Sequence, residues 1–102
     1  MAYNHIINVL YWNAHSIQHK IHELYEYMTD NHIHVACVQE TFLKPHMKLY
    51  NHPAFVTHRL DREGSKGGGV AIIIRRNIKH KLLPHSNTAL IENISIVISL
   101  IN

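Results

Sequence analysis

The sequence predicts an α/β fold built on a mixed sheet with one clear crossover helix, and three observations carry that prediction. Two apolar, β-favouring runs, Ile6 to Trp12 and Ile33 to Val38, flank a segment whose apolar residues recur at helical spacing. A third apolar run, Val70 to Ile74, follows a glycine tract and reads as a further strand. The chain has 102 residues, 46% hydrophobic and 17% charged, which is the balance of one small globular domain and excludes a two-domain enzyme.

The first strand, Ile6 to Trp12, stops at the polar turn Asn13-Ala14-His15-Ser16, where the serine is placed to cap a helix. From Ile17 the apolar positions are Ile17, Ile21, Leu24, Tyr25 and Met28, which fall on one helical face and predict a helix ending near Asp30 or Asn31. Ile33 to Val38 shows no polar alternation, as expected of a strand covered on both faces. After Pro45 the pattern weakens. Met47 to Pro53 reads as loop, Ala54 to Arg59 as a short strand, and Arg62 to Gly69 as a flexible polar connection. Ile78 to Leu83 is a candidate strand, Pro84 to Thr88 a turn, and Leu90 to Ile101 a last strand running almost to Asn102. A sheet still apolar at that point predicts a chain cut short, with Val70 to Ile74 and Ile94 to Ile98 partly uncovered.

A crossover helix makes the strands on either side of it parallel, so their carboxyl ends open on one edge of the sheet. Asn13 follows the first strand and Glu40 the second, which places two polar residues together where α/β folds bind ligands. Spacing alone equally allows a turn-forming Asn13 and a capping Glu40.

The net charge of +3 is unevenly placed. Seven of the ten bases lie between Arg59 and Lys81 (Arg59, Arg62, Lys66, Arg75, Arg76, Lys79 and Lys81), against Asp61 and Glu63. Such a segment can track a nucleic-acid backbone, although on charge alone a solvated loop between strands explains it better. The eleven histidines lack zinc-site spacing, and scattered surface histidine accounts for them; His19 and His22 are expected to be exposed without metal. Cys37, the single cysteine, reads as a small core residue. The glycines of Gly67-Gly68-Gly69 lead into a strand and lack the following Lys-Ser/Thr of a P-loop. No apolar run approaches a membrane span, and the amino terminus lacks the pattern of a secretory signal, so an intracellular location without a membrane partner is the expectation.

Three segments resemble, in order and spacing, the amino-terminal half of the endonuclease/exonuclease/phosphatase superfamily. They are Val9-Leu10-Tyr11-Trp12-Asn13-Ala14, Val35-Ala36-Cys37-Val38-Gln39-Glu40-Thr41, and Arg59-Leu60-Asp61-Arg62 leading to Gly67-Gly68-Gly69-Val70-Ala71-Ile72. The likeness is greatest to the apurinic-like endonuclease domain of non-LTR retrotransposons. The resemblance implies the amino-terminal half of a four-layer α/β sandwich of the DNase-like fold, hydrolysing DNA phosphodiesters with Mg²⁺ or Mn²⁺. It further implies that Glu40 binds the metal, that Asn13 positions the metal and phosphate, and that Gln39 and Thr41 support them. Arg62 and Arg59 would face DNA, with an ion pair from Arg62 to Asp61 or Glu63 as the competing reading. A nuclear location would follow for an active retrotransposon product.

Two departures qualify these expectations. His15 stands where many relatives have glycine. The family completes its site with a Tyr-x-Pro-like segment, an Asp-x-Asn pair and a Ser-Asp-His end, and none of these occurs in the chain. One carboxylate and one amide are too few to orient water, hold metal and stabilise the transition state together, so a catalytically incomplete fragment is expected. The alternatives are a non-catalytic nucleic-acid-binding module and a half-domain that self-associates through an uncovered sheet.

Overall fold

The structure, a computed structural model, describes residues 6–84 and 92–100. Its elements are β1 (Val9–Asn13), α1 (Ile21–Asp30), β2 (Val35–Gln39), β3 (Phe55–Leu60), β4 (Val70–Arg75), β5 (His80–Leu82) and β6 (Ile96–Ile98). Four strands form one sheet in the order β1-β2-β4-β3, and β5 and β6 form a separate antiparallel ribbon. β1 and β2 are parallel because α1 carries the chain back between them. β4 is antiparallel to both β2 and β3, so the sheet is mixed.

One face of the sheet packs on the helix. Ile17, Ile21, Leu24, Tyr25 and Met28 are all buried, as the spacing predicts, against Ala36, Val38, Ala71 and Ile73. His19 and His22 lie on the exposed side, where His22 stacks on Tyr50. The helix begins later than expected, at Ile21, and Ser16 does not cap it. Ser16 has a φ of 83°, and the preceding turn closes instead through Lys20, whose Nζ donates to Ala14 O and His15 O.

The opposite face is better covered than the sequence suggests. Val35, Ile72 and Ile74 are buried beneath Ile78, Ile94, Ile96 and Ile98, so residues of the ribbon and its flanks close over β4, and Ala71 to Ile74 are buried on both faces. The expectation of a partly uncovered Val70 to Ile74 is thus corrected for all but the half-buried Val70. The gap lies over β1, an edge strand, where Val9 and Tyr11 are exposed. The last strand is only three residues long, and the rest of the expected Leu90 to Ile101 run, with most of the Pro84 to Thr88 turn, falls partly outside the described residues. Cys37 is half-buried in the second cluster, where burial raises its thiol pKa.

Candidate functional site

The site is built at the edge where β1 and β2 end. Their parallel ladder continues beyond the strands, with Ala14 N donating to Gln39 O at 2.9 Å, Ser16 N to Glu40 O at 3.0 Å and Ile17 N to Thr41 O at 3.1 Å. Asn13 pairs in register with Gln39, so Asn13 and Glu40 stand at neighbouring strand ends. Asn13 is exposed and Glu40 half-buried.

The backbone at this edge is strained. His15, Ser16, Glu40 and Phe42 all adopt positive φ (44°, 83°, 52° and 58°). Among the described non-glycine residues only His32 shares that conformation. Each such residue costs about 1–3 kcal/mol and persists only where its surroundings enforce it, a pattern common at binding edges. The left-handed backbone at His15 also explains why a glycine would suit that position.

The β3–β4 connection closes the other side of the cleft. Gly67, Gly68 and Gly69 have φ of 74°, 68° and 86°. A Cβ on Gly68 would fall inside 3.0 Å of the Arg62 guanidinium, and one on Gly69 equally close to Thr41 Oγ1. The glycines therefore let Arg62 lie flat on the loop and let the buried Thr41 side chain pack against it; they are a close-approach device more than a flexible link. Thr41 N and Phe42 N donate to Gly69 O and Gly68 O, which ties the segment after Glu40 to the glycine tract. The resulting open cleft of about 720 Å³ is bounded by Glu40, Lys44, Arg62, the three glycines and Glu92. A smaller apolar groove between Trp12 and Leu24 lies on the helix side, away from Glu40.

The arginines of the basic segment divide into two sets at opposite ends of the sheet. Arg75 donates to Ile33 O and Met28 O, and Arg76 to Pro53 O and Phe55 O, so these two bases tie loops to the far end. At the cleft end, Arg59 clasps Asp61 through Nε and Nη2 and also reaches Lys44 O. Arg62 pairs with Glu92 at 2.7 Å rather than with Asp61 or Glu63. That hydrogen bond holds the Glu92 carboxyl below its usual pKa and raises the guanidinium's own. The Lys44 ammonium donates to Arg62 O, Ser65 O and Gly67 O. Its acceptors are neutral carbonyls, so its positive charge stays in the cleft. Sequence reasoning passed over Lys44 and Glu92, which carry no motif and reach the site only through pairings 18 to 30 residues apart.

The histidines do not gather around Glu40. Among the described residues no group of three or more His, Cys, Asp or Glu is placed to hold a metal. His58 and His80 are bonded Nε2 to Nε2 at 2.8 Å, joining β3 to the ribbon.

A parallel pair joined by a crossover helix, set in a mixed sheet with polar strand ends beside a basic cleft, is the DNase-like α/β arrangement. The chain belongs to the endonuclease/exonuclease/phosphatase family, whose model matches residues 10–98. Members of this family are generally dependent on a divalent metal. An AP endonuclease from Archaeoglobus fulgidus has a similar fold, with a TM-score of 0.57 and 19% sequence identity over 83% of this chain. The chain spans 33% of that protein's length. No curated protein matches the sequence.

Proposed function

We propose that this chain is the amino-terminal part of the active site of a metal-dependent DNA endonuclease of retrotransposon type, and that by itself it is catalytically incomplete. The observation that carries the reading is the placement of Asn13 and Glu40 at adjacent parallel strand ends beside a cleft holding Arg62 and Lys44. A carboxylate and an amide oxygen are hard donors of the kind Mg²⁺ or Mn²⁺ accepts, and magnesium needs only one or two protein ligands when substrate phosphate and water supply the rest. Glu40 and Asn13 would hold the ion, which when bound supplies Lewis acidity toward a phosphoryl oxygen. The chain's own contribution is to seat the DNA backbone: Lys44 keeps the loop in place and contributes positive charge, and Arg62 faces the phosphate. Arg59 stands close by, but its guanidinium is largely occupied by Asp61 and acts mainly to shape the loop.

Among the described residues, the cleft beside Glu40 is lined by no histidine or aspartate that would orient an attacking water. The test is nicking of supercoiled plasmid and of abasic duplex in magnesium, with Glu40→Ala as the control for contaminating nuclease. No nicking is expected from the chain alone. Magnesium-dependent nicking that disappears in Glu40→Ala would show that these residues suffice.

Self-association is the second reading, favoured by the exposed Val9 and Tyr11 on an edge strand. It predicts a mass in size-exclusion chromatography that rises with concentration and falls back to the monomer in Tyr11→Lys.

A further inference from the structure

Glu92 occupies an unusual place. One of its carboxylate oxygens accepts from Arg62 Nε at 2.7 Å, and the other from the backbone N–H of Gly69 at 3.2 Å. Two donors from separate parts of the β3–β4 loop thus converge on one small anion, in the cleft that Glu40 and Lys44 also line.

The donors are organised without help from Glu92. Lys44 Nζ gathers the carbonyls of Arg62, Ser65 and Gly67, and Arg62 Nη1 donates to Lys66 O. The absence of a side chain at Gly68 lets the guanidinium lie against the loop backbone, one residue from the Gly69 N–H from which Glu92 accepts. The carboxylate, by contrast, is loosely held. Its side chain is 33% exposed and that of Arg62 40%, whereas Asp61 in the neighbouring Arg59 pair is only 10% exposed. Exposed pairs of this kind contribute little and exchange readily with other anions. A carboxylate and the two non-bridging oxygens of a phosphodiester carry the same charge and present two acceptor oxygens to a guanidinium in the same way.

We propose that Arg62 and the Gly69 amide, with the Lys44 charge behind them, form a phosphodiester seat beside Glu40, and that the Glu92 carboxylate is its resident placeholder, displaced when a nucleic-acid phosphate enters. This rests on the reading of the cleft as the DNA-facing side of a nuclease site. Glu92 then sets the affinity of the seat by competing for it, and excludes weaker anions.

The test uses the whole chain with a fluorescent DNA duplex, read by anisotropy over a range of salt, and with diethyl phosphate, read by the amide resonance of Gly69. Glu92→Gln should tighten duplex binding about two- to fivefold, the range expected when an exposed ion pair is removed. Arg62→Gln should weaken it and flatten the salt dependence by about one charge, with Arg62→Lys recovering part of the affinity. In the Arg62→Gln background, Glu92→Gln should add nothing, because the competitor no longer has a seat to block. Glu63→Gln, which removes a nearby exposed acid, controls for net charge alone. Equal tightening by Glu63→Gln, or an undiminished Glu92→Gln effect without Arg62, would overturn the placeholder. Diethyl phosphate should shift Gly69 more strongly in Glu92→Gln than in the parent, and the absence of any shift in that variant would overturn the seat. A Gly69 shift with no duplex binding in any variant would leave the anion seat standing and remove the nuclease reading instead.

Discussion

Replacing Gly69 with alanine tests how the glycine tract builds the cleft. Two costs add at this position. The φ of 86° puts a β-carbon in the left-handed region, which costs a non-glycine residue about 1–2 kcal/mol. The new methyl would also fall inside 3.0 Å of Thr41 Oγ1. Thr41 is 1% exposed, and its hydroxyl accepts from Leu43 N, so it has little room to move; forcing a methyl into a packed site costs about 1–3 kcal/mol. The sum is about 2–5 kcal/mol, a large share of the stability of a small domain. Urea unfolding followed by the fluorescence of Trp12, the single tryptophan, measures it directly. Thr41→Ala removes the obstructing hydroxyl, so Gly69→Ala should cost only its conformational share in that background. Gly64→Ala, where φ is 78° but the space is open, should also show only that share. A Gly69→Ala variant within about 0.5 kcal/mol of the parent, or one not relieved by Thr41→Ala, would refute the packing argument.

Arg75→Ala should destabilise the chain by about 1.5–3 kcal/mol, since it strips charged donors from Ile33 O and Met28 O, yet leave duplex affinity unchanged because it lies at the far end of the sheet; a parallel loss of binding would show that the basic segment acts as one surface. Stability should decline as pH falls below the ordinary histidine value of 6.5. His58 and His34 both have lowered pKa values, first from burial and then from neighbouring positive charge, so the unfolded chain takes up protons before the folded one does. His58→Gln should flatten that slope in urea melts at successive pH values, and an unchanged slope would remove the His58–His80 contact from the account. Ile73→Ala, at a wholly buried position, should cost about 2–5 kcal/mol in the same assay, whereas a cost below 1 kcal/mol would mean that the helix-facing core is looser than described.

Much of the central unit was legible in the sequence because its signals are local. The spacing of Ile17, Ile21, Leu24, Tyr25 and Met28 identifies the buried face, and the crossover rule alone brings Asn13 and Glu40 to one edge. The helix start was misplaced because Ser16, read as a cap, lies in a left-handed turn that no propensity scale anticipates. The cover over Ile72 and Ile74 was missed because the segments holding Ile78, Ile94, Ile96 and Ile98 read as further strands, and nothing local says that they form a separate ribbon closing over the sheet. Lys44 and Glu92 were invisible for a related reason: their roles depend on tertiary proximity to a loop whose shape is set by glycines. The glycine tract did carry a signal, but close approach and flexibility look alike in sequence.

The proposal on which the account turns is that Asn13 and Glu40 hold a metal ion at the edge of a DNA-facing cleft. Paramagnetic broadening by Mn²⁺, recorded on the amide resonances of the whole chain with a short DNA duplex present, tests it at residue level. The account predicts that Asn13, Glu40 and Thr41 broaden first, that broadening is weaker without the duplex, and that Glu40→Gln abolishes it while the fold is retained. Broadening centred on His58 and His80, or unchanged in Glu40→Gln, would contradict it.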